Sequence, residues 1–299
     1  MSVDRNRRPH AIRSAAAGPV IAEPLEARKL LSVTLHSNGV LRITGTSRGD
    51  VISAYLVRGN ANLLEIKDRG VISQFNRADV TEIRMQGAGG NDTLLVSNVH
   101  GAIKIFCRMY GDAGDDNLQG GGTRDRMSGG IGNDIMLGGG GHDIMYGDVG
   151  NDTMSGENGK DFISGLDGND VISGNNDADR LFGDAGIDVL NGAAGNDTIL
   201  GGADGDTVHA GAGNDSVRGG AGGDFLRGED GNDYLFGDEE NDFILGGPGE
   251  DDMVGNAGFD TINGEEGNDD VIDTAESQGE FTDDVGPNSL PNPVSEPRG

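Results

Sequence analysis

Among 299 residues the chain carries 55 Gly, nine Phe, no Trp and only 34% apolar residues, too little for the large aromatic-rich core of an ordinary globular protein. Its formal net charge of −29 would by itself suggest disorder, repels nucleic acid and anionic membranes, and makes cations the natural partners. The single Cys107 excludes an intrachain disulfide, and no run of about 18 apolar residues offers a membrane span.

Charge is unevenly divided: residues 1–110 hold 15 Lys/Arg and 9 Asp/Glu, a balance of +6, whereas 111–299 hold 7 and 42, a balance of −35. The first 31 residues are basic and lack a strong apolar stretch of the signal-peptide kind, so they read as a mostly disordered, export-like segment. Within them Leu25-Glu26-Ala27-Arg28-Lys29-Leu30-Leu31 resembles the LEPR-XLL segment near the start of repeat-bearing bacterial surface proteins, with Ala27 in place of the usual Pro. That resemblance implies delivery to the cell surface or beyond it.

Residues 32–110 contain short apolar segments, among them VLRIT (40–44), VISAYLV (51–57), VTEIRM (80–85) and AIKIF (102–106), separated by Gly, Asn and Asp. They predict an irregular β-solenoid that begins a stack and caps its N-terminal end, with a separate small β-sandwich as the alternative. Two isolated nine-residue units, 45–53 and 87–95, lie inside this stretch.

From Gly111 to Ile272 the chain divides into 18 nonads without insertion, for example GGIGNDIML (129–137) and GEDGNDYLF (228–236). Column one is Gly in 17 of 18, with Ala210 the exception, and column four is Gly in 14, the others being Thr123, Asp177, Asp204 and Glu240. Glycine at fixed spacing marks a backbone that needs positive φ or close approach. Column six is Asp in all 18 and column eight is Leu, Ile, Val or Met in all 18. The pattern predicts a six-residue turn ending in a carboxylate and a three-residue strand whose middle side chain points inward. Met127, Met136, Met145 and Met154 fall in that inward row.

Eighteen copies in register resemble the RTX (hemolysin-type) calcium-binding proteins over 162 of the 299 residues. The resemblance implies an all-β fold, a parallel β-roll or right-handed β-solenoid, with alternate strands in two facing sheets and calcium ions between turns stacked on one edge. Carried onto this chain, the side-chain ligands are Asp116, Asp134, Asp143, Asp152, Asp161, Asp170, Asp179, Asp188, Asp197, Asp206, Asp215, Asp224, Asp233, Asp242, Asp251, Asp260 and Asp269. Backbone carbonyls of Gly114, Gly132, Gly141, Gly150, Gly159, Gly168, Gly186, Gly195, Gly213, Gly222, Gly231, Gly249 and Gly258 complete the shell, as suits an ion that takes roughly six to eight oxygens.

Nine turns on each edge leave eight gaps, so the resemblance allows up to about sixteen calcium ions as the cofactor. Their charge would nearly balance the nonad block, whose 36 acidic and 6 basic residues sum to −30. Thr123 and Glu240 resist a left-handed backbone, so the turns at 120–128 and 237–245 are expected to bind weakly or not at all. Asp92, in the isolated unit 87–95, is a candidate extra ligand. The tail, 273–299, has charge and Pro without periodicity and is expected to be disordered; RTX relatives often carry an uncleaved export signal at such a place.

No catalytic constellation emerges. None of His10, His36, His100, His142 and His209 lies in H-E-x-x-H, and no G-x-S-x-G occurs, so the chain is expected not to be an enzyme. His142 and His209 fall in outward columns, and Cys107 reads as a small buried residue. Phe225 and Phe243 stand on neighbouring strands of one sheet, with Tyr234 and Phe236 on the other, as a sheet-stabilising set or a partner patch.

The expected role is that of a secreted or cell-surface scaffold whose β-roll folds on binding calcium outside the cell, structural or adhesive, toward a cell-envelope or polysaccharide partner. The alternative is the export and folding module of a secreted enzyme or toxin of hemolysin, protease, lipase or alginate-epimerase type. Oligomeric state is not encoded in any visible pattern.

Overall fold

Residues 31–68, 70–272 and 281–282 are described by the structure, a computed structural model; the export-like segment up to Leu30 and the rest of the tail lie outside the described residues. Two long sheets, of 13 and 14 strands, run the length of the described chain, and no α-helix occurs among these residues. No helix there is long and apolar enough to cross a membrane.

In the repeat, successive nonads send strands alternately to the two sheets, so one full coil takes 18 residues. Each strand pairs in parallel with those one coil before and after. Met145 lies opposite Met127 and Ile163, and Met154 lies opposite Met136 and Ile172. This is the β-roll architecture expected from the sequence.

Strand length differs from the expectation. Ile144–Val149, Thr153–Asn158 and Phe162–Asp167 each run from column seven of one nonad through column three of the next. The six-residue turn and three-residue strand are therefore a three-residue turn and a six-residue strand with a bend. The bend falls at column two, where the backbone is left-handed, φ +76 at Asp148 and +71 at Glu157. Column two is Gly, Asp or Asn in 13 of the 18 nonads, the residues that accept this conformation most readily.

Alternation along the strand turns columns six, eight and one inward and seven, nine and two outward. The apolar core is one side chain per strand: Leu118, Met127, Met136, Met145, Ile163, Leu181, Leu190 and their equivalents through Ile262 are at most 1% exposed. The same parity carries the column-six aspartates inside. Column one has no side chain except the methyl of Ala210, so the carboxylate has room beside it.

The cap is part of the stack rather than a separate sandwich. Its strands are β1 (Ser32–Leu35), β2 (Val40–Thr44), β3 (Val51–Val57), β4 (Asn60–Asp68), β5 (Val71–Asn76), β6 (Glu82–Gln86), β7 (Thr93–Ser97) and β8 (Phe106–Ala113). Parallel pairing β2–β6–β8 continues one sheet, and β3–β7 continues the other. The outermost strands reverse direction: β1 is antiparallel to β2, and β4 and β5 form an antiparallel meander on β3. Hairpins fold back here because short links such as Gly59 and Gly70, with φ +78 and +93, close tight reversals. At the other end, Phe281–Thr282, inside the tail expected to be disordered, pairs in parallel with strand Thr261–Gly267.

Candidate metal centre

Inward-facing carboxylates on consecutive coils form two straight rows, one along each edge of the roll. On each, the backbone N–H of one aspartate donates to Oδ1 of the next, one coil on. Asp116 N–H donates to Asp134 Oδ1 at 2.7 Å, Asp134 to Asp152 at 2.7 Å, and Asp143 to Asp161 at 2.7 Å. The second row runs likewise to Asp251 N–H and Asp269 Oδ1 at 3.0 Å. The carbonyl of each aspartate accepts from the following coil, as Asp116 O does from Ile135 N–H at 2.8 Å.

One oxygen per carboxylate is thereby held and the other is not. Oδ2 of Asp116, Asp134, Asp143, Asp152, Asp161, Asp170, Asp179, Asp188, Asp197, Asp206, Asp215, Asp224, Asp233, Asp242 and Asp251 is buried without a hydrogen-bond partner. Buried polar oxygens are ordinarily satisfied, so fifteen orphans along two rows constitute a demand for a cation.

Main-chain oxygens stand beside them. A Cβ built on Gly138 would lie 2.6 Å from Asp143 Oδ2 and 2.7 Å from Gly156 O. The space that a column-one side chain would fill is thus taken by a carboxylate oxygen and by a carbonyl of the next coil, which is why this column is glycine. Among the described residues no three Asp, Glu, His or Cys side chains converge on a common point. A cation between two turns therefore takes main-chain carbonyls and water along with its aspartates, and hard, oxygen-loving ions accept such a set. The residues present fit calcium.

Burial also sets the acidity of the row. The Asp161 carboxyl is pushed up to about 8 and Asp143, Asp152 and Asp179 to about 7, chiefly because they are withdrawn from water and further because charged aspartates lie one coil away. The N–H bonds to Oδ1 oppose the rise without cancelling it. A divalent ion would supply the missing opposite charge.

The nonad 120–128 stands apart. Its column-six residue, Asp125, uses both oxygens internally, Oδ2 from Gly121 N–H at 2.7 Å and Oδ1 from Cys107 N–H at 3.0 Å. Gly121 and Thr123 are not left-handed here, whereas every other column-two residue is, and every other column-four residue but Gly249. Cys107, buried and free, occupies the column-six place one coil earlier.

Glu240 behaves otherwise than expected. Its backbone is left-handed, φ +75, and Asp242 joins the row with the usual bonds, from Asp224 N–H at 2.8 Å and to Asp260 Oδ1 at 2.9 Å. Stacking on both sides imposes the conformation that a long side chain disfavours. Asp177 and Asp204 do the same, φ +72 at each.

A second ladder escaped the sequence pattern. Column five is Asn in eight nonads, and in seven of them, all but Asn268, its Oδ1 accepts from the backbone N–H of column five in the next coil: Asn133 from Asn151 at 2.8 Å, Asn151 from Asn169 at 2.9 Å. Turns are pinned in both directions, forward by Asp and backward by Asn. His142 has an equivalent role, its Nδ1 accepting from Lys160 N–H at 2.8 Å. His209 is half-buried, with Nδ1 3.3 Å from Glu229 Oε1. On the outer face Phe225 and Phe243 stack at 5.4 Å between centroids.

Comparison with known families agrees with this geometry. The profile of the RTX calcium-binding nonapeptide repeat, four copies long, matches the chain in seven stretches that together span residues 110–272. No curated protein matches the chain. With its eighteen nonads wound into two sheets and its inward aspartate rows, the chain belongs to the RTX calcium-binding nonapeptide repeat family.

Proposed function

We propose that this protein is a non-catalytic scaffold, secreted or held at the cell surface, whose roll folds when calcium becomes available outside the cell. The observation that supports it most is the pair of carboxylate rows, each buried with one oxygen unanswered. Calcium supplies, when bound, two positive charges and a need for roughly six to eight oxygens. The aspartates from Asp116 to Asp269, Asp125 excepted, offer carboxylate oxygens, and the column-four glycines from Gly114 to Gly258 offer carbonyls from the turns.

Without a counter-charge, a block of net charge −30 with one apolar residue per strand has little to hold its coils together. Binding free energy then becomes folding free energy. Extracellular calcium modules work with dissociation constants of about 10⁻⁴–10⁻³ M, which would keep such a chain open in the cytosol and stacked outside.

Far-ultraviolet circular dichroism of the full chain, in chelator and then in millimolar calcium, tests this. A rise of β signal on adding calcium, with many ions bound per chain by titration calorimetry, is expected. An identical spectrum in chelator would refute it.

A further inference from the structure

The aspartate row does not stop where the repeat does. Asp92, in the cap, is 2% exposed, and its Oδ2 is buried without a partner. Its backbone N–H donates to Asp116 Oδ1 at 2.6 Å, as roll aspartates donate to one another. Ala88 and Gly90, with φ +83 and +85, reproduce the left-handed columns two and four. A Cβ on Gly87 would fall against Asp92 Oδ2 and 2.6 Å from Gly111 O, the same pairing of carboxylate and carbonyl oxygen as at Gly138.

From Asp92 to Asp116 is 24 residues, six more than a roll coil. The extra residues sit between β7 and β8, at the opposite edge, so the edge that carries Asp92 keeps its stacking. That insertion also explains Asp125, whose row begins with Cys107 where a carboxylate would stand. Beyond Asp92 the row closes, because Asp50 Oδ2 accepts from Thr46 N–H at 2.6 Å and from the Thr46 hydroxyl at 3.0 Å.

We infer that a calcium ion binds between turn 87–92 and turn 111–116, outside the matched repeat, and ties the cap to the roll; this rests on the calcium reading of the rows above. Calcium titration calorimetry of the full chain should give one ion fewer for Asp92→Asn than for the wild type, and an unchanged number for Asp125→Asn. Hydrogen exchange in calcium should show β6 and β7 losing protection in Asp92→Asn while roll strands keep theirs. Equal stoichiometry and equal cap protection in Asp92→Asn and wild type, with calcium-dependent folding intact, would overturn the cap site alone. A wild type that binds no calcium would instead overturn the reading on which it rests.

A different observation concerns the outer face of the sheet β2–β6–β8. Arg42, Arg84, Arg108 and Arg126 lie directly opposite one another on four consecutive strands. Like charges so placed destabilise a sheet. Glu82 partners only two, 2.6 Å from Arg84 and 3.0 Å from Arg108. Shallow depressions along the row are lined by Arg42, Arg84 and Tyr110, and further on by Arg108, Arg124 and Arg126.

The strands that carry these cations are about 4.8 Å apart, so the four positions run along the stack at a spacing near the repeat of one ring in an extended glycan. Guanidinium groups hold carboxylates in bidentate fashion; Tyr110 lines the depression beside Arg42 and Arg84, and the Arg126 guanidinium lies over the Tyr146 ring, 5.6 Å from its centroid. The geometry points to a linear polymer of carboxylated sugars as the ligand of this face.

Binding of a short oligogalacturonate to the full chain in calcium, by fluorescence anisotropy, checks it. Arg42→Ser/Arg108→Ser/Arg126→Ser should weaken binding tenfold or more and flatten its salt dependence, with calcium-induced circular dichroism unchanged. Arg218→Ser/Arg227→Ser, which removes charge from the roll, should bind as the wild type does. No binding by the wild type, equal loss in both variants, or tighter binding of single-stranded DNA would overturn it.

Discussion

At the scale of the residue, the nonad is a set of answers to one crowded inner edge. Aspartate at column six points inward because it shares parity with the apolar column eight, and glycine at column one is what leaves space for its second oxygen. Asp125 should therefore behave unlike its seventeen counterparts. Asp125→Asn removes an acceptor from a buried N–H and should cost about 1–3 kcal/mol of stability without changing the calcium count. A lower count by calorimetry would show that Asp125 does ligate. Glu240→Gly should stabilise the roll by about 1 kcal/mol, because it lifts the left-handed strain at φ +75; a lower melting temperature would contradict that.

Much of this was legible in the chain. The aspartate column and the apolar column follow from period nine, and the two facing sheets from the family resemblance that those columns carry. The left-handed bend at column two was not, because Leu166 and Ala193 adopt it as well as Gly and Asp, and stacking rather than propensity decides. The Asn ladder at column five was hidden among solvent-facing residues whose identity varies. Glu240 departs from its intrinsic preference for a related reason: the two neighbouring turns override it.

At the scale of the element, each turn is held by bonds to its neighbours one coil away, and its acidity is set there too. Asp152 and Asp161, raised from 3.8 to about 7 and about 8, bind protons more tightly in the stacked form than in the open chain. For a carboxyl raised by folding, the penalty is absent below the ordinary value and complete above the raised one. In chelator, then, the stack should be most stable near pH 4 and should weaken progressively toward pH 8, where calcium restores it. Circular dichroism across that range measures this, and a chelated protein equally folded at both ends would contradict it. The cap elements contribute differently, by turning strands back on themselves so that the last N-terminal edge is a meander rather than an open row of parallel partners.

At the scale of the whole molecule, every coil contacts only its neighbours, so stability accumulates along one dimension. Register repeats every 18 residues while sheet membership alternates every nine. Removing residues 183–200, two complete nonads, should leave a shorter roll that still gains β structure in calcium and binds about two ions fewer; failure of this variant to fold would mean that these coils are not interchangeable. Removing 183–191 alone should also stack, but it would carry Tyr234, Phe236 and all that follows to the opposite side of the molecule. Length and surface layout are thus governed by separate units: pairs of nonads set how far the structure reaches, and odd insertions or losses decide which side displays a given group to the outside.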